Sequence, residues 1–271
     1  MNGRSFVERT IDGLYDATSR AIYADTLARR GGLLQGLDPR VKLAGLLGLI
    51  LAAALAAKLW VIAAILTAAV SCASLSGLPL SLVAPVWISA LTFTGAIAVP
   101  AVFLTPGTSV FQVPILAWQI TAQGVTTAAY LILRVETSTT LALLLVFTTP
   151  WTHVLKALRI LRVPVVLVVV LGMTFRYILL LLETAHEMFE SRKSRTVGRL
   201  SGGDQRRLAV SSGGVLIAKA FQLSGEVYLA MQSRGFRGEV YVLDEFRMNG
   251  RDWAALALFA ALTGGATWAG R

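Results

Sequence analysis

The sequence has little of what a disulfide-linked or metal-binding protein needs. Cys72 is its single cysteine, so a disulfide framework and a paired-cysteine metal site are both excluded. Its two histidines, His153 and His186, lie far apart in the sequence. A transition-metal site usually requires several nitrogen, oxygen or sulfur ligands in a defined geometry. We therefore expect neither a metal site nor a cofactor in this chain.

Charged residues are also scarce. They make up 15% of the 271 residues, whereas a soluble domain of this size usually has about 25%. From residue 41 to residue 149 the charged side chains are Lys42, Lys58, Arg134 and Glu136. Because a helix needs roughly 20 apolar residues to cross a bilayer, this stretch has room for several spans. The sequence therefore predicts an all-α, polytopic membrane protein.

About five transmembrane helices are expected in this fold. Four fall within residues 41–149, at about 41–57, 59–75, 82–104 and 120–149, and a loop is predicted at about 105–119. Residues 1–40 are expected to form a cytoplasmic or interfacial segment that includes a short amphipathic helix. Asp38 and Pro39 favour the start of the first span, because Asp caps helices and Pro is tolerated at the first helical position.

The basic residues, which give a net charge of +10, are grouped between the apolar segments. This pattern is typical of cytoplasmic loops, and we favour it over nucleic-acid binding. Basic groups flank the apolar stretch 164–184 on both sides, so we expect this stretch to pack obliquely at the cytoplasmic face without crossing. Residues 150–250 are then a cytoplasmic helical module, and residues 251–271 form the last span. The N-terminus is expected inside, in a prokaryotic cell membrane.

Arg134 and Glu136 lie within the fourth apolar segment. Charged groups are costly in lipid, so both side chains are expected to face the protein interior or water. We favour a structural, salt-linked pair over an ion path.

Residues 183–247 combine charge with helical periodicity. Glu183, Glu187 and Glu190 share one helical face, and a second helical pattern runs from about Asp204 to Gln232. Gly235 is predicted to end that second helix. Taken alone, this pattern is typical of a solvated helical hairpin stabilised by charge pairs one turn apart.

Four stretches resemble one family in order along the chain. The segment from Glu226 to Gly238, EVYLAMQSRGFRG, is similar to the C-terminal signature of the T component of energy-coupling factor (ECF) transporters, in the CbiQ-like cobalt/nickel branch. The other three stretches are LDPRVK at 37–42, LRILRVP at 158–164, and TFRYI at 174–178 with AHEM at 185–188. The AMxxRGF block is the specific one.

The resemblance implies a noncatalytic scaffold that joins two ABC-type ATPases to a substrate-binding membrane partner, the S component, which is CbiM-like in this branch. A small accessory membrane subunit is a further implied partner. ATP and the transported Co2+ or Ni2+ would be bound by those partners. In the family, two motifs with a central Arg contact grooves of the ATPases; by position they correspond to Ser194, Arg195 and Thr196, and to Ser233, Arg234 and Gly235. Arg176, Arg192 and Glu226 are expected in coupling or structural roles.

The sequence is compatible with several alternative functions. The segment LSGGDQ at 200–205 is similar to the signature of ABC ATPases, but the sequence has no phosphate-binding GxxxxGK[ST] loop, so we interpret 200–205 as a connector. A T component that serves a vitamin transporter is the nearest alternative. An intramembrane enzyme would need convergent polar groups in the spans. A secondary transporter would usually show repeated halves, and none is visible.

Overall fold

A computed structural model describes residues 6–106, 108–113, 118–195, 201–236 and 248–270. Over these residues the chain forms nine α-helices and two short strands. The helices are α1 (Phe6–Ala28), α2 (Pro39–Leu55), α3 (Leu59–Leu75), α4 (Leu80–Leu104), α5 (Ala122–Thr148), α6 (Trp151–Ile160), α7 (Val165–Arg195), α8 (Gly202–Ser233) and α9 (Gly250–Ala269). The prediction of an all-α membrane protein is confirmed.

The start of α2 follows the predicted capping chemistry. The Asp38 carboxylate accepts a hydrogen bond from the backbone N–H of Arg40 at 2.8 Å, and Pro39 occupies the first helical position. The carboxylate satisfies an N–H that the first turn leaves without a helical partner, and proline has no N–H to leave unsatisfied. A helix is also present within residues 1–40, as predicted, but α1 extends over 23 residues; its place at the membrane interface stays a prediction.

The predicted loop at 105–119 contains a β-hairpin, so that part of the prediction was wrong. Strands β1 (Ser109–Val113) and β2 (Trp118–Thr121) pair antiparallel, with Gln112 opposite Gln119. Valine, phenylalanine, isoleucine and tryptophan favour extended backbone. Thr121 ends β2 and caps α5, because its hydroxyl accepts a hydrogen bond from the Gly124 N–H at 3.1 Å.

Helix α7 contains parts of two segments that the sequence analysis separates. They are the apolar stretch 164–184 and the charged segment that begins at residue 183. Its apolar first half and its charged second half form one continuous helix of 31 residues. After Gly172 no glycine or proline interrupts it, and leucine, glutamate, alanine and methionine are all good helix formers. The helix therefore continues through the point where its side chains change from apolar to charged.

By length and composition, three of the described helices suit a membrane span. They are Ser81–Leu104, Ala122–Thr148 and Val165–Arg195, and the apolar helix Leu59–Leu75 is shorter. Most of the apolar side chains in the first two remain unburied, and none in the most apolar part of α7 is buried. The proposal that α7 packs obliquely at the membrane face rests on flanking charge and stays a prediction.

The chain divides into two compact units. One comprises residues 27–157 and 246–271, and the other comprises residues 1–26 and 158–245. In the first unit, α5 packs against α2, α3 and α4, while α9 packs against α2 and α3. Its apolar core includes Leu46, Ile62, Leu141 and Leu144, all nearly inaccessible to solvent. In the second unit, α7 packs against α8.

A buried lysine connects two helices of the first unit. Lys42 in α2 is 1% exposed, and its Nζ donates a hydrogen bond to the backbone oxygen of Thr148 at the end of α5, at 2.8 Å. Asp38 and Asp252 interact electrostatically with the same ammonium. Removing a charge from water costs several kcal/mol, roughly, unless such partners surround it.

Asp252 connects α9 to the same cluster. One carboxylate oxygen accepts from the Asp38 N–H at 2.8 Å, and the other accepts from the Asn249 N–H at 2.8 Å. The second bond completes a capping box at the start of α9. The first turns of α2 and α9 and the last turn of α5 therefore share one buried polar cluster.

Replacing Lys42 should destabilise the protein strongly. In Lys42→Met, the carboxylates of Asp38 and Asp252 lose the buried cation, and we expect a loss of about 3–5 kcal/mol in the free energy of unfolding. Lys58→Met is the matched control, because Lys58 is exposed. Thermal unfolding of both variants in detergent measures the difference. Equal midpoints for the two variants would show that the buried ammonium is not stabilising.

Helices α2 and α9 approach closely at Gly45. A Cβ atom built on Gly45 would lie 2.5 Å from Cγ of Phe259 in α9, closer than real Cβ atoms come. Phe259 is itself buried in the core, so its ring has little space into which it can move. This contact therefore requires glycine.

Gly45→Ala should destabilise the protein by about 1–3 kcal/mol through overpacking. Gly264→Ala is the control, because a Cβ there meets nothing within 4 Å; alanine within a helix should stabilise that variant by about 0.5–1 kcal/mol. Chemical unfolding in mixed micelles gives both values. Stabilisation of both variants would contradict a close contact at Gly45.

Candidate partner-binding site at the ends of two long helices

Helix α8 begins with a side-chain cap. The Ser201 hydroxyl accepts a hydrogen bond from the Asp204 N–H at 3.2 Å and donates one to the Asp204 carboxylate at 2.6 Å. The acidic side chain in the first turn also suits the positive end of the helix dipole. The part of the 200–205 segment that the structure describes is therefore the start of a helix.

Helix α8 ends in a tight turn around Gly235. The Phe236 N–H donates to the Met231 oxygen and the Gly235 N–H donates to the Gln232 oxygen, both at 3.0 Å. Gly235 has φ +71°, a left-handed conformation that side chains disfavour. These two bonds define the Schellman motif. Gly235 therefore ends the helix as the sequence predicts.

The predicted triplet at this end is presented to solvent. Ser233, Arg234 and Gly235 are all exposed. The Ser233 hydroxyl donates back to the Ala230 oxygen at 3.0 Å, while Arg234 is the C-cap residue. A guanidinium at a helix C-terminus also interacts favourably with the negative end of the helix dipole. Arg234 is thus held at the tip of a helix of 32 residues.

A second exposed arginine lies at the end of α7. Ser194 and Arg195 are both exposed, and the Ser194 hydroxyl donates to the Ser191 oxygen at 2.8 Å. Arg195 is the last residue of the helix. Thr196, the third member of the predicted triplet, lies outside the described residues.

The other predicted coupling residues have different surroundings. Arg192 lies against α8, where its guanidinium is 3.5 Å from the Ser211 hydroxyl. Glu226 is on the surface of α8 and accepts a hydrogen bond from the Gln222 amide at 2.8 Å. Arg176 is an exposed residue within the apolar half of α7. Arg195 is therefore more accessible to a partner than Arg192.

Arg134 and Glu136 do not form the salt link that the sequence suggested, so that prediction was wrong. Arg134 instead donates to the backbone oxygen of Ala56, just beyond α2, at 2.7 Å, and its guanidinium lies over the Tyr130 ring at 5.6 Å from the centroid. The Tyr130 hydroxyl donates to the Ala57 oxygen. Residues two apart on a helix point in different directions, so Arg134 and Glu136 cannot meet easily.

Within the described part of the chain, no group of three or more histidine, cysteine, aspartate or glutamate side chains is arranged to hold a metal ion. Helix α8 instead has exposed apolar side chains. On α8 the side chains of Ile217, Phe221, Tyr228 and Leu229 are more than 60% exposed. Such surface normally contacts lipid or another protein.

Comparisons with known proteins show which family the chain belongs to. The family model for CbiQ, described as a cobalt transport protein, matches residues 32–242. The chain belongs to the CbiQ family. An uncharacterized protein of Methanocaldococcus jannaschii is 31% identical over 269 residues, which cover 97% of this chain and 91% of that protein. The cobalt transport protein CbiQ of Rhodobacter capsulatus is 31% identical over 154 residues, which cover 55% of this chain and 62% of that protein.

The CbiQ match covers α2 to α8 and both arginine-tipped helix ends. CbiQ is a transport family and not a family of enzymes, so the alternative of an intramembrane enzyme receives no support. The chain is a membrane protein with several helices that can span the bilayer.

Sequence reasoning missed a groove between α1 and α7. Tyr15, Thr18 and Ile22 line one wall, and Arg176 and His186 lie on the other. The signal was present, because the three α1 residues recur at a spacing of three and four, which places them on one helical face. The sequence does not show which helix faces them.

Gly235→Ala should loosen the last turn of α8. A side chain in left-handed backbone costs roughly 1–2 kcal/mol, so the Phe236 amide should exchange with solvent about 5- to 30-fold faster. Gly235→Asn is the matched variant, because asparagine tolerates this conformation and should change the rate less. Hydrogen exchange in detergent measures both rates. Equal rates for alanine and asparagine would contradict the conformational explanation.

Proposed function

We propose that this chain is the T component of an ATP-driven ECF-type uptake transporter for cobalt or nickel. The observation that carries the proposal is the exposed Arg234 at the glycine-terminated tip of α8. Membership of the CbiQ family supports the transport role and the metal. In this role the chain is a scaffold and catalyses no reaction.

The proposed partners are two ABC-type ATPase subunits, one for each arginine-tipped helix. A guanidinium forms paired, charge-assisted hydrogen bonds with carboxylates, and small neighbours allow it to enter a groove. Ser233 and Gly235 supply those small neighbours beside Arg234, and Ser194 supplies one beside Arg195. Both arginines stand at the ends of helices of more than 30 residues.

The metal and the nucleotide are proposed to bind to partner proteins. A CbiM-like S component would bind Co2+ or Ni2+, and the ATPases would bind ATP; a small accessory membrane subunit is a further proposed partner. The Rhodobacter capsulatus relative is a cobalt transport protein, which favours a metal over a vitamin as the substrate. The exposed apolar side chains of α8 offer a surface for the S component.

The two long helices would transmit the movement of the ATPases to the membrane scaffold. ATP binding and hydrolysis would change the separation of the two ATPases, and the arginine tips of α7 and α8 would follow that movement. Helix α7, which has no glycine or proline after Gly172, would carry the displacement to the membrane scaffold, and the scaffold would tip the S component and release its ion. In the cell (inner) membrane, this requires the tips to be cytoplasmic, as the basic flanks predict.

Arg234→Ala should weaken attachment of the ATPase at α8. Losing a charge-assisted, paired contact should lower affinity at least about tenfold, with uptake of radioactive cobalt falling in parallel. Arg206→Ala is the control, since Arg206 is an exposed arginine near the opposite end of α8. Copurification of the ATPase with the tagged chain, followed by uptake in proteoliposomes, measures both effects. Full copurification and uptake with Arg234→Ala would disprove the role.

The same assay identifies the contact at the end of α7. Arg195→Ala should reduce copurification, whereas Arg192→Ala should have a smaller effect because Arg192 lies against α8. The reverse order would move the motif to Arg192.

A further inference from the structure

The groove between α1 and α7 has an amphiphilic lining. Its cavity of about 510 Å³ is bordered by Tyr15, Thr18 and Ile22 of α1, and by Phe175, Arg176, Leu179, Leu180, Glu183 and His186 of α7. All of these residues belong to the same compact unit. Among the described residues, the groove therefore combines the cation Arg176, the anion Glu183 and a largely apolar wall.

The two charges are placed on one side of α7. Arg176 and Glu183 are seven residues apart, which is close to two helical turns, or about 10.5 Å along the helix axis. Both side chains are long enough to lean toward the space between them. Within the described residues, neither one forms a hydrogen bond or an ion pair. Among these residues no partner neutralises either charge, and a ligand with one anionic and one cationic group would match both.

An imidazole adds a further polar group. The Nδ1 atom of His186 is buried and, in the part of the chain that the structure describes, has no hydrogen-bond partner. The Tyr15 ring lies beside it, with 6.5 Å between the ring centroids. A buried polar atom without a partner is costly by roughly 1–3 kcal/mol, so a ligand that supplies a hydrogen bond here is favoured.

The apolar lining points to a ligand with hydrocarbon. Phe175, Leu179 and Leu180 continue the apolar half of α7, in whose most apolar stretch no side chain is buried by the chain itself. Hydrocarbon chains can therefore leave the groove along a surface that is suited to lipid. A free, water-soluble metabolite would leave this apolar surface uncovered.

We propose that the groove binds an aminophospholipid, with a phosphoethanolamine headgroup between Arg176 and Glu183. The guanidinium would bind the phosphate in paired, charge-assisted hydrogen bonds. The Glu183 carboxylate would accept hydrogen bonds from the ammonium group, and the acyl chains would lie along Leu179 and Leu180. A lipid with a net negative headgroup matches less well, because Glu183 would repel it and leave its own charge unpaired.

Competition between two lipids tests the site on the purified full-length chain, which needs no transporter partner. The delipidated protein is mixed with equal amounts of phosphatidylethanolamine and phosphatidylglycerol, and bound lipid is measured by native mass spectrometry. The wild-type protein should retain phosphatidylethanolamine preferentially. Arg176→Gln should weaken both lipids by about tenfold, because both carry a phosphodiester.

Glu183→Gln should remove the preference, because phosphatidylethanolamine loses the carboxylate that accepts from its ammonium group while phosphatidylglycerol is no longer repelled. Glu190→Gln and Lys193→Gln are controls, since both residues are exposed on α7 and lie outside the groove. An unchanged preference in Glu183→Gln would overturn the proposal. Equal losses in the control variants, or displacement of the lipid by millimolar inorganic phosphate alone, would also overturn it. A negative result in the lipid assay would not affect the ATPase-binding proposal. That proposal is tested at Arg234 and Arg195, which do not line the groove.

Discussion

Helices α2 and α5 are held together by two cationic side chains, one from each helix. Each cation donates a hydrogen bond to a backbone oxygen at or just beyond the C-terminal end of the partner helix. Lys42, in the first turn of α2, donates to the Thr148 oxygen at the end of α5. Arg134 of α5 donates to the Ala56 oxygen just beyond the end of α2. Carbonyl groups in the last turn of a helix have no partner within the helix, and in a lipid environment water is not available to satisfy them. Because the two helices are antiparallel, each one supplies a donor for a carbonyl group that the other helix leaves without a helical partner.

The rest of this unit is arranged around that pair. Asp252 accepts from the Asp38 N–H and so places the start of α9 beside the start of α2. The absence of a side chain at Gly45 then allows Phe259 of α9 to lie against α2. The Trp87 indole of α4 donates to the Thr140 hydroxyl of α5 at 3.0 Å. Polar contacts fix the helix ends, and small or apolar side chains fill the space between them.

The sequence could predict features that depend on neighbouring residues. The cap formed by Asp38 and Pro39, the end of α8 at Gly235 and the extent of α3 all follow from local chemistry, and the structure confirms them. Contacts between distant residues could not be predicted in this way. Glu136 was the nearest anion to Arg134 in sequence, whereas the actual acceptor belongs to Ala56, 78 residues away. The β-hairpin was missed because Thr105 and Pro106 signal a turn, and that signal hid the extended residues after it.

In the candidate site too, the features that depend on neighbouring residues could be predicted, and the contacts between distant residues could not. The arginine tips could be located because they stand next to helix ends, which leave signals in composition. The groove beside Arg176 could not, because it depends on which face of α1 meets α7. The relative accessibility of Arg192 and Arg195 also depends on where α8 lies, and the contact between Arg192 and Ser211 is visible only in three dimensions.

The continuity of α7 has a mechanical consequence. Its 31 residues form a rod about 46 Å long, from an apolar end at Val165 to a charged end at Arg195. No glycine or proline after Gly172 offers a hinge. If the apolar end stays in place, a tilt of about 10° displaces the charged end by about 8 Å, in proportion to the helix length. Helix α7 can therefore act as a lever, turning a small rotation among apolar surroundings into a large movement of its basic end.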